Sequence, residues 1–86
     1  MNCIVIEDNL EQQELINSHI NKTSSLRLLG SFLNFSSAID KMNSSKVDVI
    51  FLDIEISEGS GLEFLDKYEL DEDTQVVLTT KSTEFS

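Results

Sequence analysis

Val47-Asp48-Val49-Ile50-Phe51-Leu52-Asp53 runs without a break in apolar side chains from Val49 to Leu52 and then stops at a carboxylate. A strand with one wet face alternates apolar and polar residues, whereas a strand covered on both faces reads as a continuous apolar run. The segment 47–53 is therefore expected to be an inner strand of a parallel sheet. Cys3-Ile4-Val5-Ile6 has the same character and a similar ending, at Glu7-Asp8-Asn9. Between these two runs lie a helix-forming segment at 10–21, with Ile16 and Ile20 one turn apart and Asp8 or Asn9 available as its cap, and a second apolar run at 26–32 interrupted by Gly30. Phe35, Ala38, Ile39 and Met42 then fall at i, i+3, i+4 and i+7, the inward stripe of a helix that Ser44-Ser45 close. Beyond 47–53, Ser60-Gly61-Leu62-Glu63 has the form of a capping box. It opens a helix carrying Leu62, Leu65, Phe64 and Tyr68, and a fourth strand is expected at 74–80, centred on Val76-Val77-Leu78. The order β-α-β-α-β-α-β with short connections implies an α/β fold with a parallel sheet and right-handed crossovers.

At 86 residues the chain is expected to be one domain, spanning 1–86. Its 40% apolar content suits a folded core, and its net charge of −10 argues against binding a phosphate backbone, whose affinity comes from Lys and Arg. No apolar run reaches the roughly 20 residues of a membrane span, and no basic stretch followed by an apolar one marks a signal peptide. A single cysteine, Cys3, cannot form an internal disulfide and fits a reducing cytoplasm, where it is expected to act as a small core hydrophobe. His19 is expected to be an exposed helix residue, and the acidic run 69–73, broken only by Leu70, a solvated helix end and loop.

In an open parallel sheet, function collects beyond the C-terminal ends of the strands. Here the first strand ends in Glu7-Asp8, the third in Asp53 and the fourth in Thr79-Thr80. Neighbouring first and third strands would bring three carboxylates to one edge. Like charges so placed repel unless a cation joins them, and hard oxygen donors in this number suit Mg²⁺.

Taken together, Ile4-Val5-Ile6-Glu7-Asp8-Asn9, Val47-Asp48-Val49-Ile50-Phe51-Leu52-Asp53-Ile54 and Gly59-Ser60-Gly61-Leu62-Glu63-Phe64-Leu65 resemble the response-regulator receiver domain over nearly the whole chain. Leu28-Leu29-Gly30-Ser31-Phe32 and the tandem Thr79-Thr80 look like the branch that carries LytTR-type DNA-binding outputs. The resemblance implies a flavodoxin-like sheet of order 2-1-3-4 and a two-component signalling role fed by a histidine kinase in the cytoplasm. It implies Asp53 as phosphoacceptor. Mg²⁺ would be bound by Asp8, by Glu7 directly or through water, by Asp53 and by the backbone carbonyl of Glu55. Thr80 would be the switch hydroxyl, with Thr79 the alternative. It implies no enzyme beyond slow self-dephosphorylation, and no direct nucleic-acid or membrane binding by this segment.

Ile56-Ser57 stands where the family usually has Met-Pro, and Lys81 where a small residue usually follows the hydroxyl. The family has five β/α units, so a chain of three units and a fourth strand is expected to be incomplete at its C-terminus, lacking the fifth strand, its lysine and the last helices. The fourth strand is then expected to be an edge, with Leu15, Ile16, Phe64 and Leu65 on uncovered surface and a homodimer or larger assembly as the outcome. Two rival readings follow. One is a phosphorylation-independent interaction and dimerisation module. The other is a haloacid-dehalogenase-like phosphatase, which would need an Asp two residues after the nucleophile, where this chain has Glu55.

Overall fold

The computed structural model describes residues 1–56 and 59–79, Glu55 by its backbone alone. The elements are β1 (Asn2–Ile6), α1 (Leu10–Asn21), β2 (Arg27–Phe32), α2 (Phe35–Ser44), β3 (Val49–Asp53), β4 (Glu55–Ile56), β5 (Gly59–Ser60), α3 (Gly61–Lys67) and β6 (Gln75–Thr79). The main sheet is parallel in the order β2-β1-β3-β6, so β6 is its fourth strand and the expected order holds. The two-residue strands β4 and β5 form a small antiparallel hairpin between β3 and α3 that the sequence pattern did not reveal.

The continuous apolar runs have the predicted cause. Along β1, Cys3 and Val5 face one layer with Ile20 and Val49, while Ile4 and Ile6 face the other with Ala38, Ile50, Leu52 and Phe64. Helix α1 covers the first face, and α2 and α3 cover the second. Asn9 caps α1 by accepting from the Gln12 amide at 3.0 Å. Ser60 caps α3 by accepting from the Leu62 amide at 3.1 Å. The β1–β2 register slips between Cys3 and Ile4, with Leu29 the extra residue of a bulge and Gly30 resuming the pairing opposite Ile4. A Cβ at Gly30 would stand 3.0 Å from Cζ of the Phe32 ring, so the interruption in the second apolar run leaves room for that ring.

One expectation is corrected. Phe64 is 6% exposed, not part of an open surface, because its ring stacks on Phe35 at 4.6 Å and on Tyr68 at 5.6 Å. Ile16 and Leu65 are not open surface either: both are half-buried, Ile16 packed against the cluster of Cys3, Val5, Ile20 and Val49 and Leu65 against the larger cluster on the other face. Leu62 is 53% exposed, and Leu15 is exposed as expected. His19 and the acidic residues Glu69, Asp71, Glu72 and Asp73 are exposed, and Cys3 is fully buried. No helix among the described residues is long and apolar enough to cross a membrane.

Candidate functional site

The pairing of β1 with β3 sets Ile6 beside Leu52, so the next rung places Glu7 and Asp53 at neighbouring strand ends. Both are 1% exposed, and Asp8, next after Glu7 in the connection to α1, is half-buried. One carboxylate oxygen from each of Glu7, Asp8 and Asp53 lies within 4.8 Å of the others. At that separation two full charges repel by about 3 kcal/mol at an effective dielectric of about 20. A small divalent cation turns that repulsion into attraction, and three hard oxygen donors match the preference of Mg²⁺ for few carboxylates plus water. The donor set therefore fits the ion.

Backbone geometry holds the acids in place. The Asn9 amide donates to Glu7 Oε2 at 3.1 Å, and the Glu7 amide donates to the Phe32 carbonyl at 2.9 Å. Behind Asp53, the Ile54 amide donates to the Thr79 carbonyl at 3.0 Å, and the Gly61 amide donates to the Ile54 carbonyl at 2.6 Å. A Cβ at Gly61 would stand 2.5 Å from the Asp53 carbonyl oxygen, so only glycine lets α3 start this close to the end of β3. The segment Gly59-Ser60-Gly61 stood out in the sequence, but this role of Gly61 did not.

The Glu55 backbone lies two residues past Asp53, paired with Ser60 across the hairpin. Thr79 is the register partner of Asp53. Its side chain lines a groove of about 320 Å³ with Ile16, His19, Phe51 and Val77. Its hydroxyl is buried and has no hydrogen-bond partner among the described residues. Thr80, Lys81 and Ser57 lie outside the described residues. Sequence reasoning also missed Gln13, which is 9% exposed and donates through Nε2 to the Glu7 and Phe32 carbonyls. Gln13 falls three residues before Ile16 and seven before Ile20, on the inward stripe of α1, and that spacing could have revealed it.

A flavodoxin-like parallel sheet with a carboxylate cluster at the C-terminal ends of β1 and β3 defines a class of α/β proteins suited to holding a cation beside a strand-end aspartate. Within that class, the family model described as the response regulator receiver domain matches residues 3–86, and the chain belongs to this family. A protein-glutamate methylesterase/protein-glutamine glutaminase of Shewanella sp. (strain MR-4) is 35% identical over 94% of this chain and 23% of its own length. An uncharacterized response regulatory protein of Vibrio vulnificus (strain CMCP6) is 27% identical over the whole chain and 36% of its own length. The chain thus spans about a quarter to a third of the curated relatives it matches. Among solved structures, RcsB from Salmonella enterica serovar Typhimurium, bound to promoter rprA in the presence of phosphomimetic BeF3⁻, superposes with a TM-score of 0.77 at 15% identity. That match covers 93% of this chain and 42% of the RcsB chain, and it supports the fold.

Proposed function

We propose that the chain is a phosphoacceptor that takes a phosphoryl group from the phosphohistidine of a histidine kinase onto Asp53. In this reading a carboxylate oxygen of Asp53 attacks phosphorus, the new O–P bond forms as the N–P bond breaks, and the imidazole leaves with the electron pair and is protonated. Mg²⁺ would be held by Asp8, Glu7, Asp53 and the Glu55 carbonyl, and when bound it neutralises charge on the transferring group. The observation that carries the reading is the meeting of Glu7, Asp8 and Asp53 within 4.8 Å at the strand ends. Glu7 and Asp8 place negative charge beside Asp53, which favours a cation there and disfavours phosphoryl approach without one.

Thr80 is the proposed switch hydroxyl, with Thr79 as the alternative. The module itself would do no more chemistry than slow self-dephosphorylation. A cytoplasmic location follows from the kinase-fed reading. The Leu28-Leu29-Gly30-Ser31-Phe32 and Thr79-Thr80 wording supports a place in the LytTR-linked branch. Incubation with acetyl phosphate and Mg²⁺ tests the acceptor by intact-mass spectrometry. Wild type gains one phosphoryl group and Asp53→Asn gains none; equal labelling of the variant would overturn the assignment.

The outer side of β6 supports a second element, association of two or more copies of the 86-residue chain. Among the described residues β6 pairs with β3 alone, and Val77 and Leu78 are 42% and 44% exposed. An open edge with apolar side chains and no proline is a template for pairing with an identical strand. Sedimentation equilibrium is expected to give a dimer or larger species. A monomer would remove this element and leave the phosphoacceptor reading in place.

A further inference from the structure

Three polar side chains are buried among the described residues: Glu7, Asp53 and Gln13. Two belong to the acid pocket and the third lies behind it. The parallel ladder of β1 on β2 runs from Asn2 opposite Arg27 to Ile6 opposite Phe32, and the Glu7 amide adds one more bond to the Phe32 carbonyl. A further rung would need the Asn34 amide to donate to the Glu7 carbonyl. By then the chain has turned away, since Asn34 caps α2 by accepting from the Ser37 amide at 2.9 Å. Gln13 Nε2 supplies that rung instead, donating to the Glu7 carbonyl at 3.1 Å and the Phe32 carbonyl at 3.3 Å. The two N–H groups of one amide thus serve two strand-end carbonyls.

We infer that Gln13 is a positioning residue of the acid pocket, pinning the Glu7–Asp8 peptide to α1 so that both carboxylates meet Asp53. The peptide group is planar, so an anchor on the Glu7 oxygen also orients the Asp8 nitrogen and Cα. The same anchor ties the end of β2 to α1, which keeps the Glu7-Asp8 turn from swinging with the loop that follows. The inference rests on the reading of the pocket as a cation site, and its test separates the two.

Gln13→Met keeps the length of the side chain and removes both donors; Gln13→Asn keeps the amide but is one methylene too short to reach both carbonyls. In metal-free protein, ¹H–¹⁵N spectra of both variants are expected to show shifted and broadened Asp8 and Asn9 amides. Mg²⁺ titration followed at those amides is expected to give about tenfold weaker binding, the lower end of what outer-shell partners of metal ligands contribute. Asp48→Ala is the control, because it removes the acceptor of the Asn2 amide at the other end of β1. It should lower Tm without moving those amides or the affinity. Gln13 variants that lose Tm like the control but keep wild-type Asp8 and Asn9 amides and wild-type Mg²⁺ affinity would overturn the inference. If wild type shows no response to Mg²⁺, the cation reading fails. The metal-free spectra then still decide Gln13: displaced amides uphold its role, and unmoved ones end it. Should Gln13→Met not fold, Gln13→Asn carries the same comparison.

Discussion

At the N-terminal end of the sheet, Asp48 Oδ2 accepts from the Asn2 amide at 2.8 Å, while the Asp48 amide donates to the Asn2 carbonyl and its own carbonyl accepts from the Gln75 amide, both at 2.8 Å. Asn2 Nδ2 donates to the Lys46 carbonyl, Thr74 Oγ1 donates to the Val47 carbonyl, and the Met1 ammonium donates to the Ser25 carbonyl at 2.6 Å. There the Asp48 carboxylate ties the residue before β3 to the start of β1, while the Asp48 main chain bonds to Asn2 and to Gln75 at the start of β6. At the C-terminal end of the same strands, three carboxylates meet one another instead. A strand-end acid is therefore no sign of chemistry by itself: Asp48 is a structural acceptor, and Asp53 differs from it by the company of Glu7 and Asp8.

The largest expected effect tests that difference. Asp8→Ala should abolish Mg²⁺ binding, Glu7→Ala should weaken it, and Asp48→Ala should leave it unchanged, all by isothermal titration. Equal binding by Asp8→Ala and wild type would place the metal elsewhere and erase the contrast between the two ends.

A smaller effect asks whether the crowded end is also the tightly packed one. Gly61→Ala drives a methyl group to 2.5 Å from the Asp53 carbonyl oxygen, a main-chain atom with little room to yield. The expected loss is about 1–3 kcal/mol in urea unfolding, the range for overpacking a filled site. Gly59 makes a useful companion. Its φ of +152° favours glycine, yet beyond its chain neighbours no atom of the described residues lies within 4 Å of the point a Cβ would occupy, so Gly59→Ala tests backbone strain. A Gly61→Ala protein as stable as wild type would mean that α3 can retreat from β3 at no cost.

Much of this architecture was legible because the signals were local. The apolar runs at Cys3–Ile6 and Val49–Leu52 gave buried parallel strands, and the stripe from Phe35 to Met42 gave α2 with Ala38 fully buried. Strand order then brought Glu7, Asp8 and Asp53 together without any knowledge of side-chain positions. The parts that escaped depend on distances between elements. The spacing of Gln13 with Ile16 and Ile20 marks it as inward-facing, but its partners appear only when α1 is laid against the ends of β1 and β2, and Gly61 looks like a cap residue until α3 meets the Asp53 carbonyl. The burial of Phe64 escaped for the same reason, since it comes from Phe35 on another helix.

The smallest effect concerns the N-terminal end, where Cys3 is fully buried beside Val49 in the layer under α1. Burial pushes its thiol above the ordinary value of 9.0, and the nearby Met1 ammonium pulls part of the way back. Desolvation is the larger cause, because a thiolate enclosed by Val5, Ile20 and Val49 has lost its water. The folded-state value lies above the unfolded one, so the folded chain holds its proton where the unfolded chain has released it. The neutral thiol thus contributes stability that is fully present below 9.0 and is lost as pH rises through the folded value. Unfolding free energies of wild type and Cys3→Ala should differ by a constant amount from neutral pH up to about 9 and converge above it. A gap that stays constant well above 9.0 would show that Cys3 reaches water through the strand end, and that the hydrogen-bonded end of the sheet is the looser of the two.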